Sequence, residues 1–139
     1  MARTRAKVTI KGADELKAKL RRMKAAAQGP ALEAAASAGI LPIQNAMIDK
    51  APYLTGTLQR SIHTVPLIAE QYRAMVATGT DVPYAMRLEF GYNDTDALGR
   101  EYHQAARPYA RPAYDEQRSA AIRETTSALL DIILAAAGV

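Results

Sequence analysis

Seven prolines restrict where this chain of 139 residues can form regular structure. Proline lacks a backbone N–H and has a fixed φ, so it suits the first turn of a helix or a sheet edge and opposes the interior of either element. Pro30, Pro83 and Pro112 are each placed to begin a helix. Pro52 is placed to end one, because the residue before a proline avoids the helical region.

Two helices are predicted in the N-terminal half and one at the C-terminal end, because apolar residues recur there at helical spacing. The first stripe is Leu16, Leu20, Met23 and Ala27. The second is Leu32, Ala35, Ala36, Gly39, Ile40, Ile43 and Met47. Pro42 lies inside the second stripe and predicts a kink near residues 38–41. The last helix begins at Pro112, and its predicted buried stripe is Ile122, Leu129, Ile132, Ile133 and Ala136.

The remaining segments predict a small antiparallel sheet. Residues 7–12, "KVTIKG", alternate apolar and polar side chains as a short strand does, and residues 61–69 and 71–79 form a central hairpin. Pro66 predicts an edge position or a bulge in that hairpin. A short helix is predicted from Pro83 to a stop at Gly91, with a third short strand as the alternative. The fold class is therefore α+β, with the sheet packed against two N-terminal helices and a long C-terminal helix.

The length supports one domain over residues 1–139, in which we expect residues 1–6 to be a flexible basic arm and residues 92–106 a mobile loop. Aromatic residues make up 6% of the chain, so the core must be built from aliphatic side chains and many alanines. Such a thin core favours burial of further surface against other subunits. The absence of cysteine suits a reducing compartment, so synthesis in a cytoplasm is the default expectation, and no apolar run has the length of a membrane span.

Positive charge is concentrated at the start of the chain. Residues 1–24 carry a net charge of +7 and the remaining residues −3. Such a segment can meet DNA or an acidic protein surface, or can simply be a solvated helix face. The candidate contact residues are Lys17, Lys19, Arg21, Arg22 and Lys24.

No catalytic set is recognisable, and we predict neither catalytic residues nor a cofactor or metal site. An acidic stretch resembling a calcium loop has Leu98 and Ala105 where oxygen ligands are required. Phosphate-binding glycine loops are missing as well. Metal-dependent hydrolysis around Asp94, Asp96 and His103 is retained only as an outside alternative.

Three stretches carry a more specific pattern: "APYLTGTLQRSI" from residue 51, "PYAMRLEFGYN" from residue 83 and "ARPYARPAYDE" from residue 106. In this order they resemble the minor tail component family of long-tailed bacteriophages, which are neck or tail-completion proteins of lambdoid-type siphophages and prophages. The matching residues are Ala51, Pro52, Thr55, Gly56, Leu58, Ser61, Ile62, Tyr84, Ala85, Leu88, Glu89, Phe90, Gly91, Arg107, Pro108, Arg111 and Pro112. The chain departs from the family at Tyr92, where threonine is usual.

The resemblance implies a structural virion protein without catalysis. Its copies would form a ring, a hexamer by analogy with the family, at the head–tail junction or the upper end of the tail. Implied partners are the head connector or stopper, the tail terminator or tail tube, and genomic DNA passing through the bore by non-specific contact, with no membrane. An alternative from a different class is a small basic nucleic-acid-binding module that uses the charged first helix.

Two residues of the pattern have predicted structural roles. Gly56 supplies a turn conformation that a side chain would oppose, with Leu58 and Ile62 anchoring the turn on the core. Glu89 is either solvent-exposed or paired with Arg107 or Arg111, within one subunit or across a subunit boundary.

Overall fold

The computed structural model describes residues 11–138. The predicted basic arm and residues 7–10 of the predicted first strand lie outside this range. The elements are helices α1 (Ala13–Ala26), α2 (Gly29–Lys50) and α3 (Thr57–Ser61), strands β1 (His63–Glu70) and β2 (Arg73–Gly79), helix α4 (Ala85–Phe90), strands β3 (Tyr92–Thr95) and β4 (Glu101–Gln104), and helix α5 (Ala110–Ala137). The α+β class is confirmed.

Helices α2 and α5 form an antiparallel pair at the centre of the fold. Lys50 at the end of α2 forms an ion pair of 2.9 Å with Glu116 near the start of α5. At mid-length, Gly39 packs so closely on α5 that an added Cβ would lie 1.7 Å from Oγ1 of Thr125 and 2.9 Å from the carbonyl oxygen of Ala121. The predicted stripe of α2 is confirmed, since its four buried residues all belong to it: Ala35, Gly39, Ile43 and Met47.

Pro52 follows the end of α2, and Pro112 lies in the first turn of α5. Helix α2 ends at Lys50, and Ala51 before Pro52 is extended, as predicted. The helix continues through Pro42 as one element. Helix α5 begins at Ala110, two residues before the predicted start at Pro112. Pro112 is tolerated there because the first-turn N–H groups of a helix have no partner within the helix.

The apolar stripe predicted for α1 and the buried stripe predicted for α5 are covered only in part. Helix α1 packs on α5 but has no buried residue, and Leu16 and Leu20 are 57% and 53% exposed. In α5, Ile122 is 67% exposed instead of buried. Helical spacing reports which residues share a face, but it does not report whether another element covers that face.

Strands β1 and β2 form the predicted hairpin and pack on α2. Their register shifts between Pro66 and Ile68, which confirms the predicted irregularity. Proline cannot donate a ladder hydrogen bond, so a bulge at this point allows pairing to resume beyond it.

The prediction of a loop over residues 92–106 is wrong. Strands β3 and β4 pair in regular antiparallel register from Tyr92 with Gln104 to Thr95 with Glu101. All residues of this hairpin except Tyr92, Gly91 at its base and Asp96 in its turn are exposed. Because neither face is buried, the sequence lacks the alternation of apolar and polar residues that would reveal a strand.

The core is small and made of modest side chains. It lies between the C-terminal half of α2, α3, α4 and the start of α5, and consists of Ile43, Met47, Ala51, Leu58, Ile62, Ala85, Tyr109 and Ala113. Among residues 11–138, no large side chain is fully buried. The fold thus agrees with the thin core expected from the composition.

Candidate functional site

The segment after Pro52 turns the chain from α2 into the sheet through the short helix α3, which the sequence analysis described only as a turn. Gly56 precedes α3 with φ of +73°. A Cβ at this glycine would lie 2.8 Å from Nη1 of Arg60 and 3.0 Å from the ring of Tyr53. The left-handed backbone conformation therefore favours glycine, whereas the two neighbouring side chains are exposed and could move. Leu58 and Ile62 are 3% and 4% exposed and anchor the segment as predicted.

Polar side chains of α3 form hydrogen bonds with backbone carbonyls at the end of α2 and within α3 itself. Gln59 donates from Nε2 to the carbonyl oxygens of Ile48 and Ala51 at 3.1 and 3.3 Å. These acceptors lie in the last turn of α2 and at Ala51, the residue that follows it, where carbonyls have no helical partner. The hydroxyl of Ser61 donates to the carbonyl oxygen of Leu58 at 2.7 Å. Gln59 is not among the residues predicted from the sequence, because a glutamine in a polar turn has no distinguishing pattern.

Glu89 caps the N-terminus of α5. Its Oε2 accepts from the backbone N–H groups of Tyr109 and Ala110 at 2.8 and 3.0 Å, and its Oε1 accepts from the N–H of Arg111 at 3.0 Å. The side chain is half-buried. Neither prediction for this residue within the chain is correct: Glu89 is not free in solvent, and no ion pair within 4.0 Å joins it to Arg107 or Arg111 in the described part of the chain.

The electrostatics of the cap favour the charged carboxylate. Partial burial acts to raise the pKa of Glu89, but hydrogen bonds from the N–H groups of Ala110, Arg111 and Tyr109 outweigh it, and the Arg111 charge adds to their effect. The pKa of Glu89 is therefore held below its ordinary value. Three N–H groups at a helix start suit an anion, because they are unpaired within the helix and carry the positive end of its dipole.

Gly91 lets the chain pass close to the segment that leads into α5. Its φ is +77°, and a Cβ there would lie 2.9 Å from the carbonyl oxygen of Gln104. Next to it, the N–H of Arg107 donates to the carbonyl oxygen of Leu88 at 2.7 Å. Glu89 and Gly91 of the Glu-Phe-Gly triplet thus hold α4, the β3–β4 hairpin and α5 together.

The remaining residues of the pattern divide between core and surface. Ala85 is buried, whereas Phe90, the single phenylalanine, is 72% exposed. Arg107 and Pro108 are exposed. Tyr84 is 43% exposed and lies beside Leu88 in a shared groove.

This groove is an open, mainly apolar cavity of about 590 Å³, which we call the motif groove. Its lining joins all three stretches of the sequence pattern: Pro52, Tyr53, Leu54, Thr55, Gly56, Thr57, Leu58, Tyr84, Leu88, Gln104 and Arg107. Leu54 and Tyr53 on its rim are 89% and 73% exposed. Arg107 is the single charged residue among the described residues that line it. Such a surface suits an apolar protein segment that carries negative charge.

The β3–β4 hairpin is organised by polar contacts. Asp96 accepts from the N–H groups of Leu98 and Arg100, both at 2.9 Å, from Nε of Arg100 at 2.6 Å and from the hydroxyl of Tyr102 at 3.1 Å. The pKa of Asp96 is lowered, first by the hydrogen bond from the Arg100 backbone. One carboxylate therefore fixes the whole turn.

At the base of the hairpin, the guanidinium of Arg87 lies 4.2 Å above the ring of Tyr92. The hydroxyl of Tyr92 donates to Asp94, and this hydrogen bond raises the pKa of Tyr92 and lowers that of Asp94. Asp94, Asp96 and His103 lie on this hairpin, but no group of three or more metal-ligating side chains occurs within residues 11–138. His103 instead contacts Oδ1 of Asn93 at 2.8 Å.

The predicted basic residues lie on α1, away from the motif groove. Lys17, Arg21 and Lys24 follow one side of this helix and are exposed, as is Arg22, while Lys19 is half-buried. Lys17 makes a 3.8 Å contact with the fully exposed Asp14. The charged face is thus open to a partner.

No protein-family model, curated protein or solved structure matches the chain. Within the range that the structure describes, no helix has both the length and the apolar character that crossing a membrane requires.

Proposed function

We propose that this protein is a structural virion protein of a tailed bacteriophage and that its copies form a ring at the head–tail junction or the upper end of the tail. The bore of the ring passes the genome, and the faces of the ring meet the head connector or stopper and the tail terminator or tail tube. The protein is made in the bacterial cytoplasm and carries out no reaction.

The motif groove carries this proposal. Three stretches that resemble a phage neck family are separated by tens of residues, yet they converge on one apolar surface with exposed Leu54 and Tyr53. Residues that serve only the core would be buried. An exposed, mainly apolar surface of this kind is typical of a protein contact.

The accessible surface supports an assembled state. The chain exposes 10459 Å², whereas a compact monomer of 15.0 kDa exposes about 7,000 Å². Even if the residues outside 11–138 contributed the full surface of an unfolded chain, about 1,800 Å², the remainder would exceed the compact value by about 1,700 Å². A standard interface buries about 800 Å² on each partner, so this excess equals roughly one interface on each side of a ring subunit.

Two experiments test the proposal. Deletion of the gene from the phage or inducible prophage should leave filled heads and tails that do not join, and expression of the protein from a plasmid should restore particles. Labelling of the protein in purified particles should place it at the junction in electron micrographs. Normal particles after deletion, or label elsewhere on the particle, would contradict the proposal.

The exposed face of α1 keeps the nucleic-acid-binding module as a second candidate. If the module is correct, the wild type binds DNA tightly, with an affinity that falls steeply between 50 and about 200 mM salt. Replacing Lys17, Arg21 and Lys24 together by alanine would then abolish this binding. The matched control replaces Arg73, Arg118 and Arg123, which are exposed elsewhere. Weak binding that both triple variants reduce equally would exclude the module and leave only non-specific contact of DNA with a basic protein.

A further inference from the structure

The β3–β4 hairpin projects from the fold, and most of its surface is exposed. Every residue of β4 is exposed, and of β3 only Tyr92 is half-buried. Contact with the body occurs at the base, where the guanidinium of Arg87 in α4 lies 4.2 Å from the centre of the Tyr92 ring. With four residues in each strand, the paired region spans about 14 Å. Its turn extends farther still.

The turn of the hairpin presents one large apolar side chain. Leu98 is 79% exposed at the tip, while the four hydrogen bonds to Asp96 fix the backbone on both sides of it. Fixing the loop before binding lowers the entropy lost when the loop binds. An ordered turn that exposes a leucine has the features of an interface anchor.

The motif groove has the complementary properties. It is lined mainly by apolar side chains, and within residues 11–138 its single charged lining residue is Arg107. The hairpin carries an excess of negative charge, with Asp94, Asp96 and Glu101 against Arg100. Apolar contact and charge therefore both favour the hairpin as an occupant of the groove.

A hairpin cannot fill the groove of its own chain. Gln104 at the base of the hairpin lines that groove, so the tip with Leu98 lies at least about 14 Å away along a paired ribbon. The occupant must come from another copy. Because hairpin tip and groove are different surfaces, their contact is head-to-tail and can close into a ring.

We propose that the β3–β4 hairpin of each copy inserts Leu98 into the motif groove of the next copy. This contact rests on the proposed ring function and specifies the side chains that join its subunits. The hairpin and groove also account for part of the surface that the chain exposes beyond a compact monomer.

Cysteine crosslinking tests the contact directly, because the chain has no native cysteine. Leu98→Cys and Leu54→Cys are made in separate full-length chains, mixed and oxidised. We expect a covalent dimer from the mixture, and a ladder of multimers when both changes are in one chain. Leu98→Cys mixed with Leu67→Cys is the control, because Leu67 is 57% exposed on β1 but does not line the groove. Equal crosslinking in both mixtures would overturn the contact.

A second measurement is independent of crosslinking. Leu98→Ser should reduce the assembled fraction at least tenfold in light scattering after gel filtration, with no change in the thermal midpoint of the dissociated chain. Leu67→Ser is the matched control and should assemble as the wild type does. If Leu98→Ser assembles normally, the contact is wrong.

The outcomes separate this contact from the proposed function. If the wild type forms rings and Leu98→Ser forms them as well, the contact is wrong and the neck assignment is unaffected. Specific crosslinks between copies, combined with label absent from the head–tail junction, support the contact and contradict the neck assignment. Closed dimers in place of rings would overturn the head-to-tail arrangement. A wild-type chain that neither assembles nor crosslinks would overturn the contact, and the deletion phenotype would still decide the neck assignment.

Discussion

The α2–α5 pair and the β3–β4 hairpin are stabilised in opposite ways. The helix pair is held by close apolar packing around Gly39, Ile43 and Ala113, with few polar side-chain contacts. The hairpin buries no side chain and depends on its ladder and on the carboxylate of Asp96. The comparison indicates that the α2–α5 pair stabilises the fold of the single chain, whereas the β3–β4 hairpin is ordered for a contact with another molecule.

Truncation of a core side chain should have the largest effect on folding. Ile43 is 6% exposed, so Ile43→Ala removes buried methyl groups and leaves a cavity, and we expect a loss of about 3 kcal/mol in the free energy of unfolding. Leu98→Ala in the hairpin should change that free energy by no more than about 0.5 kcal/mol. Urea denaturation of both variants measures the difference, and similar losses would remove the distinction between the two regions.

Gly39→Ala tests how closely the helices pack. The new methyl group would clash with Thr125, so we expect a loss of about 2 kcal/mol in the free energy of unfolding. Adding Thr125→Ala should recover part of the loss, but the carbonyl oxygen of Ala121 still prevents full recovery. Gly79→Ala is the control, because a Cβ there meets nothing within 4 Å. Equal effects of the two glycine changes would argue against close packing as the cause.

Glu89 connects the two regions, and its removal should have an intermediate effect. Glu89→Gln should cost about 1 kcal/mol at neutral pH, because the N–H groups of α5 lose a charged acceptor. The folded-state pKa of Glu89 is below its ordinary value of 4.5. The stabilisation is therefore fully present above the ordinary value and is lost as the pH falls through the lower folded value.

The pH dependence provides a control for the predicted effect of Glu89→Gln. The difference in unfolding free energy between wild type and Glu89→Gln should shrink as the pH falls below the ordinary value and through the lower folded pKa of Glu89. Glu124→Gln changes an exposed carboxylate on α5 and should show no comparable difference at neutral pH. A difference for Glu89→Gln that stays constant down to acidic pH would mean that the carboxylate charge does not stabilise the cap.

Asp96→Ala should have the smallest effect on global unfolding and a clear local effect. The turn loses all four acceptor contacts, so amide hydrogen exchange at Leu98 and Arg100 should accelerate while the thermal midpoint stays close to that of the wild type. Asp81→Ala alters an exposed carboxylate outside the hairpin and is the control. Unchanged exchange would show that Asp96 does not order the turn.

The sequence predicted the elements whose signals are local. Periodicity located the buried stripe of α2, and the prolines located its end at Lys50 and the irregularity of β1 at Pro66. Gly91 correctly predicted the end of α4. These predictions succeed because proline and glycine act through their own backbone and because a periodic apolar stripe needs no knowledge of its partner.

Tertiary structure alone decided how the separate stretches meet. Glu89 accepts a hydrogen bond from the backbone N–H of Tyr109, which lies 20 residues further along the chain. No spacing rule in the sequence links a carboxylate to a helix start at that distance. The β3–β4 hairpin has no buried face and so leaves no alternation to detect, and the exposure of Leu16 depends on what covers α1. Burial and long-range contact belong to the folded chain as a whole, whereas the sequence by itself determined the local breaks, turns and apolar faces from which that fold is assembled.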